Sequence, residues 1–273
     1  MPSRKLLAVF AHPDDESLGV GGTLAKYASQ GADVFLVTAT RGERGRYRGL
    51  ARDDPRHPGP AALARIRGRE LQNAAAALGI KEVSLLDYCD QQLDGADPRE
   101  VIVRIVHHLR RLRPHVVITF GPDGAYGHPD HIAISQFTTG AVMAAADGSF
   151  AIEAGLAPHL VSKLYYIAWP ESTWSAYRAA VRALTVNVDG TERQATPWPD
   201  WSITTEIDAR SVWETVWRAV SCHESQLSTY ERLKDLAPAH QEALWGRQSF
   251  YRVFSLVNGG RRKETDLFEG IPA

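Results

Sequence analysis

Short apolar runs alternate with longer amphipathic stretches along the first 146 residues of the chain. The apolar runs have the length of β-strands and lie at residues 6–11 (LLAVFA), 34–40 (VFLVTAT), 83–87 and 116–120 (VVITF). Helical patterns follow them at residues 18–29, 61–78, 98–112 and 130–146. Because strands and helices alternate with short connections, the pattern predicts an α/β fold, with a Rossmann-like, mostly parallel sheet and helices on both faces.

The pattern is less regular after residue 147. It predicts strands at residues 163–169, 203–207 and 249–257, and helices at residues 209–221 and 226–236. We therefore expect residues 1–146 to form the α/β core that carries the chemistry. Residues 147–258 are expected to form an α+β extension that packs on the same domain and shapes the substrate pocket. Residues 259–273 are mostly polar and are predicted to form a loosely held tail.

Composition and charge exclude several classes of partner. The chain has 273 residues, of which 44% are apolar and 23% charged, and 31 basic residues balance 32 acidic ones. This balance gives no overall field for binding nucleic acid or an anionic membrane, so neither is expected as a partner. Cys89 and Cys222 are too few for a disulfide framework, and no stretch reaches the roughly 18 apolar residues of a membrane span. We therefore expect a soluble, cytoplasmic protein.

Two segments rich in histidine and acidic residues follow the first and fourth predicted strands. They are residues 11–16 (AHPDDE) and 126–131 (YGHPDH). Ligands of open parallel sheets bind beyond the carboxyl ends of the strands, so both segments lie where a site is expected. Histidine nitrogen and carboxylate oxygen are the usual zinc ligands where cysteine is absent, and a catalytic zinc keeps three protein ligands. The spacing predicts a shared metal site but leaves open which residues bind the metal and which act as acid or base.

Longer stretches around these segments resemble the LmbE/PIG-L family of zinc-dependent N-deacetylases. The resemblance rests on AHPDDESLGVGGTLAKY, TRGERG and GAYGHPDH, with weaker matches in RGRELQNAAAALGI, LLDYCD and AVSCHESQ. Members of this family act on N-acetylglucosamine conjugates in mycothiol, bacillithiol and glycosylphosphatidylinositol synthesis. The resemblance therefore implies a hydrolase that removes an acetyl group from a small amino-sugar substrate by attack of a zinc-bound water. It implies one Zn²⁺ per chain, with another divalent ion as an alternative, and allows a homo-oligomer.

The family pattern also implies roles for individual residues. The metal ligands would be His12, Asp15 and His131. Asp14 would be the general base that takes a proton from the metal-bound water and later delivers it to the departing amine.

The second segment would stabilise the oxyanion. His128 would lie beside the oxyanion, with Asp130 orienting its ring and favouring its charged form. Tyr126 matches a tyrosine that assists oxyanion stabilisation in some relatives.

Roles for several neighbouring residues stay open. Arg41, Glu43 and Arg67 are candidates for substrate contact, with pairing among themselves as the alternative. His223 resembles a late family histidine that faces the active-site region and is a further candidate for substrate contact, and a hydrogen-bonded histidine of a helix is the alternative. Glu16 is more readily explained as a carboxylate favoured at the start of a helix than as a member of the site.

A basic segment connects the second predicted strand to the second predicted helix. Residues 41–57 contain six arginines against three acidic residues. We expect a long, mobile loop beside the site, since it exceeds the usual connection length. It could act as a basic lid over a phosphate-, carboxylate- or inositol-bearing substrate, or it could simply be solvated.

Three other functions compete with the deacetylase. A dinucleotide-binding enzyme is disfavoured because Gly19-Val20-Gly21-Gly22 falls inside a helical pattern and lacks the full G-x-G-x-x-G spacing. A non-enzymatic sugar- or nucleotide-binding module would not need the acidic residues and histidines of both segments together. A zinc amidase acting on a larger thiol or sugar conjugate is the runner-up among enzymes.

Overall fold

The computed structural model describes residues 3–150, 152, 155–180, 185–188, 191–194, 196–229, 233, 237, 242, 244–260 and 262–272. Its strands are β1 (Lys5–Phe10), β2 (Asp33–Thr40), β3 (Glu82–Tyr88), β4 (Val116–Thr119), β5 (Lys163–Ile167), β6 (Thr185–Val188), β7 (Thr191–Gln194), β8 (Thr205–Asp208) and β9 (Arg247–Ser255). Its α-helices are α1 (Asp15–Ser29), α2 (Pro60–Leu78), α3 (Pro98–Leu112), α4 (Gly124–Gly127), α5 (Pro129–Ala146), α6 (Glu171–Ala180) and α7 (Trp213–Cys222). No helix within these ranges is both long enough and apolar enough to cross a membrane.

One mixed sheet organises the described part of the chain. Its order is β3-β2-β1-β4-β5-β9-β8, and β6 pairs separately with β7. The five strands from β3 to β5 are parallel, whereas β9 is antiparallel to both of its neighbours. The predicted α/β class and mostly parallel sheet are therefore confirmed.

The strand order places both histidine segments at one edge of the sheet. Strand β1 pairs with β2 on one side and with β4 on the other, so the chain reverses its direction of progress across the sheet at β1. The loops after β1 and β4 consequently lie side by side at the carboxyl ends, which is the usual ligand position in such sheets.

The buried strands and helices explain why the core forms. Residues 6–11 are fully buried, which accounts for their unbroken apolar run. The helices pack in two groups, with α3 against α5 and with α1, α2 and α7 against one another. Helix α3 shows how the sequence sets an end: the Asp97 carboxylate caps it by accepting from the backbone N–H groups of Arg99 and Glu100.

The later part of the chain departs from the predicted pattern. Helix α6 and the β6–β7 hairpin were not predicted. The helix predicted over residues 226–236 falls largely outside the described residues, and the described turn there is a 3₁₀ segment at Leu227–Thr229. Helix α1 begins at Asp15, three residues before the predicted start. Its first turn contains Asp15 and Glu16, and acidic side chains stabilise the N-terminus of a helix.

The prediction of a loosely held tail is wrong. Leu267, Phe268 and Ile271 are buried in the main core, and the backbone N–H of Leu267 donates to the Tyr27 hydroxyl at 2.7 Å. Glu264 is 1% exposed and forms an ion pair with Lys163, which is fully buried in β5, at 2.8 Å. A single acidic residue in a polar stretch gave no sequence signal that a buried lysine would be its partner.

The pKa of Glu264 gives the fold a defined response to acid. Burial alone raises this pKa, but hydrogen bonds outweigh burial and lower it to about 2 from an ordinary value of 4.5. The hydrogen-bond donors to the carboxylate are Asn258, Lys163, Tyr165 and Thr205. A carboxylate with a depressed pKa stabilises the fold above its unfolded pKa, and this contribution is lost as the pH falls through the folded value.

We expect Glu264→Gln to destabilise the protein by about 3–5 kcal/mol at neutral pH, because it leaves the ammonium of Lys163 buried without a carboxylate. Wild type should lose more stability than the variant between about pH 5 and pH 2, since only wild type has this carboxylate to protonate. Urea denaturation at several pH values measures both effects. Glu269→Gln, which removes the surface pair with Arg262, is the matched control and should cost less than about 1 kcal/mol. Equal effects of the two substitutions would contradict the prediction.

Candidate metal and catalytic site

A tight turn after β1 brings His12 and Asp15 together. Asp14 adopts a positive φ of 119°, and α1 starts at the next residue. The Asp15 carboxylate folds back and its Oδ2 accepts from the backbone N–H groups of Ala11 at 3.2 Å and His12 at 2.8 Å. The strained turn therefore aims the Asp15 carboxylate and the His12 ring at the same space.

The three predicted ligands lie close to one another. His12 Nδ1 lies 3.1 Å from His131 Nε2, which in turn lies 3.3 Å from Asp15 Oδ1. The other oxygen of the same carboxylate, Asp15 Oδ2, lies 3.7 Å from His12 Nδ1. Ligands bound to zinc at 2.0–2.1 Å in a tetrahedron are about 3.3 Å apart, so the two histidine nitrogens have a suitable separation, and the Asp15 carboxylate borders both of them.

Surrounding groups orient both histidine rings. The ring of His131 stacks on Phe120 with centroids 3.9 Å apart, and its Nδ1 lies 3.2 Å from the carbonyl oxygen of Gly124. This contact leaves Nε2 of His131 facing the cluster. On His12 the roles of the nitrogens are exchanged, because carboxylates contact Nε2 and Nδ1 faces the cluster. A second ring nitrogen held by a carbonyl or carboxylate is the usual support for a metal-bound histidine.

The carboxylate of Asp130 has a contact that was not predicted. Its Oδ2 lies 3.1 Å from His12 Nε2, so the carboxylate supports His12. The carboxylate also accepts from the backbone N–H groups of Gln91 at 2.7 Å and Leu93 at 3.0 Å, which fix its position. The backbone N–H of Asp130 donates to Nδ1 of His128 at 3.2 Å, and the negative charge of Asp130 raises the pKa of His128, so its predicted role toward His128 stays a prediction.

The surroundings of His128 act on its pKa in opposite directions. Burial lowers the pKa of His128, the neighbouring His12 and His131 lower it further, and Asp130 raises it. The net shift is downward, which favours the neutral ring. A charged form would need a further negative group, such as a developing oxyanion, beside the ring.

Asp90 is a site residue that the sequence analysis missed. Its Oδ1 lies 3.2 Å from His12 Nε2, and its Oδ2 accepts from the backbone N–H of Arg44 at 2.9 Å. It is buried, together with His12 and Asp130. The weaker family match in LLDYCD ended at this residue, and this match was the available signal.

Asp14 lies next to the histidine cluster, and its carboxylate forms an ion pair with Arg67. Its Oδ2 lies 3.3 Å from Arg67 Nη2. Burial raises the pKa of Asp14, and the Arg67 guanidinium lowers it in opposition. Arg67 is itself fixed, because it donates to the carbonyl oxygens of Gly42 at 2.8 Å and of Pro13. A buried carboxylate with its pKa pushed upward accepts a proton more readily than an ordinary one.

Tyr126 and His128 line the same cluster from the loop after β4. The Tyr126 ring lies 5.2 Å from the His131 ring and 6.0 Å from the His128 ring, measured between centroids. A ring nitrogen of His128 lies within 4.8 Å of nitrogens of His12 and His131, so a ligand set of three histidines is the geometric alternative to the set with Asp15.

His223 and Glu16 support the turn from the interior. They are 1% and 0% exposed, and His223 Nε2 lies 2.8 Å from Glu16 Oε1. Glu16 Oε2 accepts from the backbone N–H of Asp14 at 3.0 Å. The structural interpretation of Glu16 therefore agrees with its contacts. His223 is placed against Glu16 and not at an open surface, so direct substrate contact, which was predicted for it, does not follow from its position.

Arg41 and Glu43 bind partners near the end of β3 and in the loop after it. Arg41 Nε donates to Asp87 Oδ1 at 2.6 Å, and Glu43 Oε1 accepts from the backbone N–H of Asp90 at 2.8 Å. They do not pair with each other or with Arg67 in these contacts. Glu43 thus contacts Asp90, which in turn contacts His12. The pair of Arg41 with Asp87 is on the surface.

The basic loop is fastened beside the site. The backbone N–H of Arg48 donates to the carbonyl oxygen of Ser225 at 2.7 Å, and Gln226 Nε2 donates to the carbonyl oxygen of Arg46 at 2.9 Å. The backbone of Arg44 is bound to Asp90, as described above. These contacts attach the loop to the segment after α7 and to Asp90, whose carboxylate contacts His12.

Comparison with known proteins identifies relatives of this chain. Residues 7–142 match the PIG-L family, described as GlcNAc-PI de-N-acetylase. The 1D-myo-inositol 2-acetamido-2-deoxy-alpha-D-glucopyranoside deacetylase of Rhodococcus opacus strain B4 is 38% identical over 99% of both chains.

Solved structures show the same fold at lower identity. The N,N'-diacetylchitobiose deacetylase of Pyrococcus horikoshii has a TM-score of 0.67 and 22% identity, covering 92% of this chain and 84% of its own. GalB, the 4-carboxy-2-hydroxymuconate hydratase of Pseudomonas putida KT2440, also has a TM-score of 0.67, with 21% identity, covering 94% of this chain and 99% of its own. Because the fold also occurs in a hydratase, the fold does not define the reaction. The reaction is indicated by the sequence relatives. Their similarity over the full chain shows that this protein belongs to the PIG-L family and is a deacetylase, a hydrolase of amide bonds.

Proposed function

We propose that this chain removes the acetyl group from a 2-acetamido-2-deoxyglucopyranoside joined to a polyhydroxylated group such as inositol, with zinc as its metal. The observation that carries the proposal is the convergence of His12, Asp15 and His131 beside the buried carboxylate of Asp14. The named activity of the Rhodococcus opacus relative supports the choice of substrate.

Zinc bound by His12, Asp15 and His131 would supply a nucleophile at neutral pH, because it lowers the pKa of a bound water to about 7. Asp14 follows from its position as the group that holds the transferred proton. Its raised pKa lets the carboxylate accept a proton and release it to the departing amine. Arg67 keeps this carboxylate in place and limits how far its pKa rises.

The second loop supplies the groups for the oxyanion. Neutral His128 and the hydroxyl of Tyr126 are both able to donate a hydrogen bond to a developing negative charge. Asp130 and Asp90 would act through His12, since both carboxylates contact its Nε2. In this proposal the carboxylates of Asp90 and Asp130 orient His12, and the ring of His128 interacts with the substrate.

Selectivity for the aglycone should come from the basic loop. The backbone of Arg44 and Arg46 is held beside the site, and a guanidinium offers several donors to hydroxyl, carboxylate or phosphate oxygens. We expect hydrolysis of the inositol conjugate to exceed that of free N-acetylglucosamine by tenfold or more in kcat/KM, which is about 1.4 kcal/mol. Acetate release from both substrates measures this ratio.

Replacing Arg44, Arg46 and Arg48 together by alanine should remove the advantage and leave the rate on the free sugar nearly unchanged. Arg56→Ala is the matched control, because Arg56 is in the same loop and is paired locally with Asp54. An equal loss on both substrates would show that the loop shapes the site without recognising the aglycone. A preference for a larger thiol conjugate over all amino-sugar acetamides would favour the amidase instead.

A further inference from the structure

Two side chains from the C-terminal part of the chain hold the loop that carries Tyr126 and His128. Arg193 of β7 donates from Nη1 to the carbonyl oxygen of Gly127 at 2.9 Å. Trp198 donates from Nε1 to Asp123 Oδ2 at 3.3 Å. Neither residue belongs to a motif that the sequence analysis identified, and neither has a part in the chemistry above. They approach the same loop from two places.

The loop offers glycine at both points of contact. A Cβ atom added to Gly127 would lie 3.1 Å from Cδ of Arg193, and one added to Gly121 would lie 2.9 Å from Cζ2 of Trp198. The stem of the arginine therefore packs directly over the backbone at one end of the loop, and the indole ring packs over the other end. Trp198 is in turn fixed by its backbone N–H, which donates to the carbonyl oxygen of Trp169 at 2.8 Å.

The conformation that these contacts hold is strained. Ala125 has φ 63° and ψ −58°, and Gly124 and Gly127 also have positive φ values of 60° and 80°. A non-glycine residue in such a region costs about 1–3 kcal/mol and persists only where the surrounding structure imposes it. The loop's internal backbone bonds include those from the N–H of Gly127 to the carbonyl oxygen of Asp123 and from the N–H of Gly124 to the carbonyl oxygen of Gly121, both at 3.0 Å.

Three groups of the site depend on this strained backbone. The carbonyl oxygen of Gly124 holds Nδ1 of His131, and Tyr126 and His128 directly flank Gly127. A shift of the backbone would therefore move the oxyanion side of the site while the turn after β1 stayed in place. We propose that Arg193 and Trp198 are positioning residues that clamp residues 121–128 and so set Tyr126 and His128 for the reaction. This proposal rests on the deacetylation proposed above.

Steady-state kinetics of Arg193→Ala, Arg193→Lys and Trp198→Phe test the clamp. We expect kcat of Arg193→Ala and Trp198→Phe to fall by about 10- to 100-fold, as for a site group displaced by about 1 Å. KM should change by less than about twofold, since the clamp does not touch the substrate. Metal content and melting temperature should stay at wild-type values. Arg193→Lys retains a stem and a donor and should recover part of the loss, and Glu192→Ala, an exposed neighbour on β7, should have no effect.

Hydrogen exchange separates a failure of the clamp from a failure of the proposed function. Amide exchange of residues 121–128, followed by mass spectrometry, should accelerate in Arg193→Ala and stay unchanged in Glu192→Ala. Unchanged exchange overturns the clamp whatever the activity. A raised KM with normal kcat also overturns it, because Arg193 would then contact the substrate, and so does a loss of metal and of folded protein in parallel with activity. If wild type released no acetate from any amino sugar, the proposed function would fail, and accelerated exchange would still support the clamp.

Discussion

Replacing Asp14 by asparagine should lower kcat by about a hundredfold or more and leave the metal in place. The carboxylate of Asp14 lies 3.3 Å from Arg67 and is outside the proposed ligand set, so its loss should remove a proton acceptor without removing a ligand. Asparagine keeps the size of the side chain and is expected to tolerate the same turn, because asparagine also adopts positive φ readily. Initial rates of acetate release and metal content per chain, measured on the same preparation, check both parts.

Two further variants, His128→Ala and Asp53→Asn, serve as comparisons for Asp14→Asn. His128→Ala should also retain metal and lose activity, through the oxyanion. Asp53→Asn, at an exposed position of the basic loop, should leave the rate unchanged. Loss of metal in Asp14→Asn would mean that Asp14 and Asp15 have exchanged roles. Full activity in that variant would exclude Asp14 as the base.

Much of the core could be predicted because its signals are local. Residues 6–11 had to be apolar throughout, since β1 is covered on both faces, and this requirement is visible in the sequence. Helix α3 has proline at its first position and an aspartate cap, and its predicted bounds agree with the structure. The two histidine segments follow β1 and β4, so their meeting followed from strand order alone.

What could not be predicted depends on contacts between distant residues. Asp130 contacts His12 across 118 positions of sequence, and nothing in the spacing of HPDH distinguishes this contact from one with His128. Glu264 and Lys163 form their buried pair across 101 positions. The same holds for Arg193 and Gly127, because a hairpin with little apolar pattern gave no sign of packing on the site. Local pattern predicts the elements, and tertiary contacts decide how polar side chains are used.

Purified protein should carry about one zinc ion per chain, and either Asp15→Ala or His131→Ala should empty the site and abolish activity. The reason is geometric: each substitution removes one corner of the set in which His131 Nε2 lies 3.3 Å from Asp15 Oδ1 and 3.1 Å from His12 Nδ1. Removing zinc from wild type with a chelator should likewise abolish activity, and adding zinc back should restore it. Elemental analysis of dialysed protein, together with acetate release, measures occupancy and function.

His128→Ala and Asp15→Ala together decide between the ligand set with Asp15 and the set of three histidines. If Asp15 is the third ligand, His128→Ala keeps its zinc and Asp15→Ala does not; if His128 is the third ligand, the two results are reversed. The contacts favour Asp15, because its carboxylate is held toward the cluster by two backbone N–H groups, whereas His128 Nδ1 already accepts from the backbone of Asp130. A histidine ligand with one nitrogen used as an acceptor could bind metal only through the other, and it could not also keep a proton there to donate to the oxyanion. Occupancy near one in both variants would show that neither residue completes the site and would overturn the assignment.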